Sequence, residues 1–300
     1  MADHFVEVPP SEAKDAEVSS SLPSNKEDIA IIVPTRNSAK TLRVCLESIR
    51  LQQHPCTLIV VDNRSTDDTH RIATELADIV IDAGPERSAQ RNAGAAATTA
   101  SIVGFIDSDM ELATDVVSRA TEALLGGATS VVVPERTVGE GFWADVRAYE
   151  RTSYQGIESI EAPRFFTRAV FDRVGGFDET MTGPEDWDLG IRTKQAGPRV
   201  RIDSVILHHE GQVRYFAACR KKGYYGPGLV RFAEKHGTSG LAALSERPWL
   251  KKPQALMTRL GAGLILLKVG EVSAVIMAIA ADRFANRSRF RRGANSKAAR

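Results

Sequence analysis

The strongest constraint on the fold of this chain is its alternation. Short, almost wholly apolar runs are separated by stretches with helical spacing. The runs are Ile29–Pro34, Leu58–Val61, Ile79–Asp82, Ile102–Ile106 and Ser130–Pro134. Between them lie Ala39–Leu51, with Leu42, Leu46 and Ile49 on one face, then Thr66–Ala77, Glu86–Thr98 and Asp115–Leu125. Thr66 is the expected N-cap of the second helix, which has acids in its first turn. A strand that is apolar throughout is buried on both faces. This points to an α/β fold with a mostly parallel central sheet flanked by helices. Further on, Phe142–Tyr154 and Glu185–Gln195 read as helices, Ala162–Thr167 as a strand and Val200–His208 as a strand or hairpin.

In such a sheet, ligands bind beyond the carboxyl ends of the strands. Polar residues follow three of them: Pro34-Thr35-Arg36-Asn37, Asp62-Asn63-Arg64-Ser65 and Asp107-Ser108-Asp109. Parallel strands would set all three on one rim. Two aspartates one residue apart after an apolar run suit a hard divalent ion that also takes diphosphate oxygens. Aspartate is also common in ordinary turns, so the triplet alone leaves both readings open. No GxxxxGK[ST] and no GxGxxG after a strand is present, which leaves a P-loop or dinucleotide fold unsupported.

The motifs come in a fixed order: "IAIIVPTRN", "LIVVDNRSTDDT", "RSAQRNAGAAA", "VGFIDSDM" and "GGFDETMTGPEDWDLGIR". In this order the chain resembles the family 2 glycosyltransferases of GT-A fold, over about residues 29–211. The resemblance implies roles. Pro34, Thr35 and Asn37 would hold the donor nucleotide, and Asp62 would face its base. Arg87 and Arg91, which share a helical face, would meet phosphate or base, with Asn92 beside that face on the donor side. Asp107, with Ser108 beside it, would contact the ribose. Asp109 would bind Mn2+ or Mg2+ at the diphosphate. Asp186 would be the catalytic base, with Glu185 orienting the acceptor. Val174–Glu179 matches the acceptor-side loop. A second metal ligand is expected at His208, with His209 as the other candidate; a histidine suits Mn2+ better than Mg2+.

The implied activity is inverting, metal-dependent transfer of one sugar from a UDP or GDP sugar to a hydroxyl. The acceptor would be a lipid-linked or cell-envelope glycan. The Gln-x-x-Arg-Trp signature of processive synthases is missing; the nearest stretch is Gln212-Val213-Arg214-Tyr215. The alternatives are a nucleotidyltransferase or pyrophosphorylase-like enzyme and a non-catalytic sugar-nucleotide binder. The first usually has a glycine-rich loop after strand one, which Pro34–Asn37 lacks.

Composition places the rest. Residues 1–27 carry no periodicity and are expected to be a disordered leader. A GT-A domain over 28–211 is followed by a basic helical region at 212–259, an apolar helix at 260–282 and a basic tail at 283–300. The net charge is only +1, and no nucleic-acid partner is expected. Yet 212–259 holds ten Lys/Arg against two Glu, and 282–300 holds seven bases against one acid. An apolar segment between basic stretches suits an anionic membrane surface. Lys268 and Glu271 near its middle argue against a plain spanning helix and could pair on one face. Three cysteines without CxxC spacing and no signal-like N-terminus suggest a cytoplasmic protein, peripheral on the inner membrane face.

Overall fold

The computed structural model describes residues 28–246, 249 and 257–298, of which 239, 241–245 and 285–298 as backbone alone. The expected leader lies outside the described residues, as do Arg247, Lys251 and Lys252 of the basic stretch.

The elements run β1 (Ile29–Thr35), α1 (Leu42–Arg50), β2 (Thr57–Asp62), α2 (Thr69–Leu76), β3 (Ile79–Asp82), α3 (Arg87–Ala96), β4 (Ile102–Phe105), β5 (Met110–Leu112), α4 (Val116–Leu125), β6 (Ser130–Val132) and β7 (Glu135–Glu140). Then come α5 (Phe142–Thr152), β8 (Phe165–Thr167), α6 (Arg168–Arg173), α7 (Glu185–Ala196), β9 (Arg199–Arg201), β10 (Ile206–Gln212), α8 (Tyr215–Tyr224), α9 (Gly226–Ser245) and α10 (Arg259–Ala298). The chain forms two compact units. One comprises the residues up to Val138 with Arg151–Glu179 and Glu185–Glu210; the other comprises Gly139–Glu150, Thr180–Pro184 and the chain from Gly211 on.

The first unit is built on a seven-stranded sheet in the order β3-β2-β1-β4-β8-β6-β9. Strands β1, β2, β3 and β4 are mutually parallel, as their apolar runs imply. β8 is antiparallel to both its neighbours, so the sheet is mixed at that point. Alternate residues of a strand face opposite sides. Ile29, Ile31 and Val33 of β1 enter one core layer with α1 and α4, whereas Ala30 and Ile32 enter the other with Phe105, Phe166, Phe171 and Phe177. Gly94 lets α3 lie flush on β1, since a Cβ there would come within 2.4 Å of Ile32 Cγ2.

Four expectations need correction. The second helix starts at Thr69 with Asp68 as its cap, not at Thr66. The first is trimmed to Leu42–Arg50. Val200–His208 is neither one strand nor a hairpin: β9 extends the large sheet, and β10 joins a separate three-stranded sheet, β5-β10-β7. Ala162–Thr167 reduces to β8. Strands β5 and β7 carried no periodicity long enough to be read.

The second unit gathers α5, α8, α9 and α10. Its small core joins Val146, Ala218, Leu264 and Leu267, with Phe142, Trp143, Tyr149 and Tyr215 packed on them. α9 is broken at Gly237, which has φ 55°. Cys45, Cys56 and Cys219 are free thiols, and all three are buried.

Candidate active site

The ends of β1, β2 and β4 form one rim because the three strands are parallel and in register. Thr35 lies opposite Asp62, and the backbone N–H of Ile106 donates to Ile32 O at 3.1 Å. Both loops leaving β1 and β2 pass through the left-handed region, Asn37 at φ 50° and Arg64 at φ 50°. They are stitched together. The Asn37 N–H donates to Ser65 Oγ at 2.8 Å, Asn37 Oδ1 accepts from the Thr66 N–H at 2.8 Å, and Ser65 Oγ donates to Asp62 Oδ1 at 2.5 Å. The Asn37 side chain thus holds the rim's shape. Pro34 is buried within β1. The buried hydroxyl of Thr35 has no hydrogen-bond partner among the described residues. Gln90, which sequence reasoning passed over, donates from Nε2 to Thr35 O at 2.9 Å and Val61 O at 2.6 Å. It ties the ends of β1 and β2 to α3.

At the next position of α3, Arg91 has no exposed side-chain surface. Its guanidinium donates to Asp107 Oδ1 at 2.6 Å and Asp186 Oδ1 at 2.8 Å, and stands 3.4 Å from Glu185 Oε1. Its Cζ lies 5.0 Å from the Phe177 ring centroid, a cation–π contact. Arg87, one turn earlier, stands 3.5 Å from Glu185 Oε1. The two arginines thus meet the same acid, as their spacing requires. Asn92 points elsewhere. Its amide brackets the backbone of Phe177, donating to the carbonyl and accepting from the N–H, each at 2.9 Å, and it donates to Glu179 at 2.9 Å. It holds the Val174–Glu179 loop and does not turn toward the rim.

Asp109 and His208 come together. β10 pairs antiparallel with β5, setting His208 opposite Met110, and its Nε2 lies 3.3 Å from Asp109 Oδ2. Nδ1 lies 3.3 Å from Glu135 Oε2. His209 faces the other way, with its Nε2 2.7 Å from Glu111. Ser108 Oγ donates to Ser38 Oγ at 3.0 Å. A carboxylate beside an imidazole whose far nitrogen meets a second carboxylate is a donor set that fits Mn2+ or Mg2+, the former better. Elsewhere on the rim, ligand atoms of Asp62, His70 and Asp82 lie within 4.8 Å of one another, a second grouping able to hold a cation.

Sequence reasoning missed Arg164 and Glu135. Arg164 precedes β8, is nearly buried, and grips Glu135 Oε1 through Nε at 3.1 Å and NH2 at 2.6 Å. Its NH1 faces Asp107 at 3.5 Å and Asp186 at 3.7 Å. Glu135 also pairs with Arg151. An arginine placed directly before an apolar pair, "PRFFT", was the available signal.

The electrostatics follow. Burial pushes the Asp107 carboxyl up, but Arg91, Arg164 and Arg87 outweigh it and hold it below the ordinary range. The same contest holds Glu135 well below, through Arg164, His208 and Arg151. Glu185 goes the other way: burial and then the charge of Asp186 raise it, against Arg91 and Arg87. Burial depresses His208, but Asp109 and Glu135 prevail and raise it to about 9.

A mostly parallel sheet whose rim gathers Asp62, Asp107 and Asp109, beside α3 arginines that reach an acidic helix start, defines an α/β protein of the GT-A fold. Comparison with known proteins is consistent with that class. The profile described as Glycosyl transferase family 2 matches residues 30–180, half of the chain. The chain belongs to this family. Pre-mycofactocin glycosyltransferase of Mycobacterium tuberculosis is 30% identical over 243 residues, covering 71% of this chain and 49% of its own length. Glycosyltransferase AglE of Haloferax volcanii is 27% identical over 188 residues, 56% of this chain and 62% of its own. The chain therefore spans about half the length of the first relative and under two thirds of the second. Mannosyltransferase PcManGT of Pyrobaculum calidifontis, solved with GDP-Man and Mn2+, superposes with TM-score 0.61 at 19% identity, covering 86% of this chain and 88% of that one. At that identity the likeness speaks for the fold.

Proposed function

We propose that the chain is an inverting, metal-dependent glycosyltransferase that moves one sugar from a UDP or GDP sugar to a hydroxyl of a lipid-linked or cell-envelope glycan. It works on the cytoplasmic side at an anionic membrane surface. The observation that carries the reading is the bridge made by Arg91: one buried guanidinium holds Asp107 of the donor rim and Asp186 of the acidic helix start. That contact between residues far apart in sequence supports a single site with a donor side and a base side.

In this reading the base and ribose of the donor lie on the rim at Pro34, Thr35, Asp62 and Asp107. Asp109 and His208 would hold a divalent cation, with Ser108 between the two aspartates. When bound, that cation neutralises charge on the departing diphosphate. Asp186 takes the proton from the acceptor hydroxyl, whose oxygen attacks the anomeric carbon. The nucleoside diphosphate leaves from the opposite face, so the centre inverts. Arg91 holds Asp186 in place through an ion pair at 2.8 Å. Glu185, buried beside it, orients the acceptor side.

The test is nucleotide release and sugar transfer measured with UDP and GDP sugars, with Mn2+ or EDTA. Asp109→Asn is expected to lose metal-dependent turnover, and Asp186→Asn to keep donor binding but lose transfer. Turnover that persists in EDTA would remove the metal from the reading. Loss of donor affinity in Asp186→Asn would remove the base assignment.

A further inference from the structure

α10 is apolar enough to cross a bilayer, with mean hydropathy 2.1 over its best window within Arg259–Phe284. Its charges are turned inward. Lys268 Nζ lies 2.7 Å from Glu271 Oε2 and also pairs with Glu150 of α5. Arg147 of α5 reaches Glu271 at 2.5 Å and Glu150 at 3.2 Å. These four alternating charges lock one face of α10 to α5. On the same side Leu264 and Leu267 are fully buried in the small core, and a Cβ on Gly270 would meet Tyr215 Oη at 2.2 Å, so α8 is pressed against the helix there.

The opposite face is different. Ile265, Leu266, Val269, Val272, Ile276 and Met277 are all exposed, Val269 at 59% and Ile276 at 61%. Between Ala262 and Ala281 no exposed residue of α10 is charged. At 1.5 Å per residue this uncharged face is about 30 Å long. Two exposed arginines bound it, Arg259 before and Arg283 after; the sequence of the same helix continues with Arg287, Arg289, Arg291 and Arg292. An apolar strip of this size on a water-exposed surface marks a docking face.

We propose that this face of α10 lies in the plane of an anionic membrane, sunk to the level of the acyl chains, and does not cross it. A spanning α10 would carry Lys268, Glu271 and the α5 charges bonded to them into the hydrocarbon, which is costly. An in-plane helix leaves that cluster on the protein side, gives the apolar strip to lipid and lays the flanking arginines on phosphate headgroups. The proposal rests on the membrane part of the functional reading and supplies its geometry.

The experiment uses the full chain with no sugar nucleotide present, so its outcome is independent of the catalytic assignment. Sedimentation is measured with phosphatidylcholine vesicles and with vesicles containing phosphatidylglycerol. Binding is expected to require the anionic lipid and to weaken as salt rises. Val269→Asp and Ile276→Asp, both on the exposed face, are expected to cut partitioning about tenfold or more. A Val272→Trp probe should be quenched best by lipids brominated near the headgroup. Quenching greatest at the bilayer centre would establish a spanning helix and overturn the proposal. So would a lipid-indifferent dimer that Val269→Asp converts to monomer, since a second copy would then cover the face. Donor binding by thermal shift, run in parallel, reports separately on the glycosyltransferase reading.

Discussion

Arg91 and Arg164 are two buried guanidiniums serving one set of acids, but they differ in what else they hold. Arg91 leans on Phe177 of the Val174–Glu179 loop, whereas Arg164 forks onto Glu135, the carboxylate behind His208. Arg164 therefore connects the Asp186 side of the site to the Asp109–His208 side through a single residue. It acts as a positioning residue. Replacing it with glutamine leaves Asp107, Glu135 and Asp186 short of a counter-charge, a change that costs about 3–5 kcal/mol when such a pair is buried. Arg164→Lys keeps the charge but loses the fork. We expect Arg164→Lys to remain folded, to bind donor nearly as wild type, and to lose about 10²-fold in kcat through misplacement of the acids. Weaker Mn2+ affinity by calorimetry should accompany that loss. A donor KM that rises while kcat stands still would instead make Arg164 a donor contact.

At the scale of elements, the site depends on how closely α3 approaches β1. Gly94→Ala brings a methyl against Ile32, whose Cγ2 would be 2.4 Å away, and Val61 Cγ2 would be 3.0 Å away. We expect a loss of about 1–3 kcal/mol, read as a lower denaturant midpoint with unchanged slope. Donor binding should weaken in the same variant, because Gln90 and Arg91 ride on that helix. The difference between what was legible and what was not has a physical origin here. β1 to β4 and α1 to α4 were readable because each buries a local, periodic set of apolar residues. β5, at three residues, and β9, at three, are too short to display any period. β10 defied its apolar start because Asp203-Ser204 breaks the run and the strand pairs with β5, far back in sequence. Asp107, Asp109, Asp186 and His208 were legible through ordered motifs. Glu135 and Arg164 were not, because their meaning lies in partners that no nearby residue announces. Glu135 lies 29 residues from Arg164 and 73 from His208.

At the scale of the whole molecule, the second unit is assembled from two internal segments, Gly139–Glu150 and Thr180–Pro184, and the chain from Gly211 on. Its core needs Val146 from α5, Ala218 from α8, and Leu264 and Leu267 from α10 at once. Removing α10 therefore does more than take away an exposed apolar face. It uncovers Val146 and Ala218 and leaves Arg147 and Glu150 without Glu271 and Lys268. A chain truncated before Arg259 is expected to aggregate, or to be cut rapidly within α5 by protease, whereas Val269→Asp stays soluble and intact. A well-folded truncation would show that the second unit is stable without α10.

The burial of all three native thiols has a practical consequence. Burial, with the charges of Asp109 and Asp107 adding to it, pushes the Cys45 thiol far above its ordinary value, so it offers almost no reactive thiolate. With all three thiols buried, the native chain is expected to react slowly with maleimide and nitroxide reagents. A single cysteine introduced on the outer face of α10, for instance at Val272, would carry a spectroscopic label with little background and no need to rebuild the core around missing sulfurs.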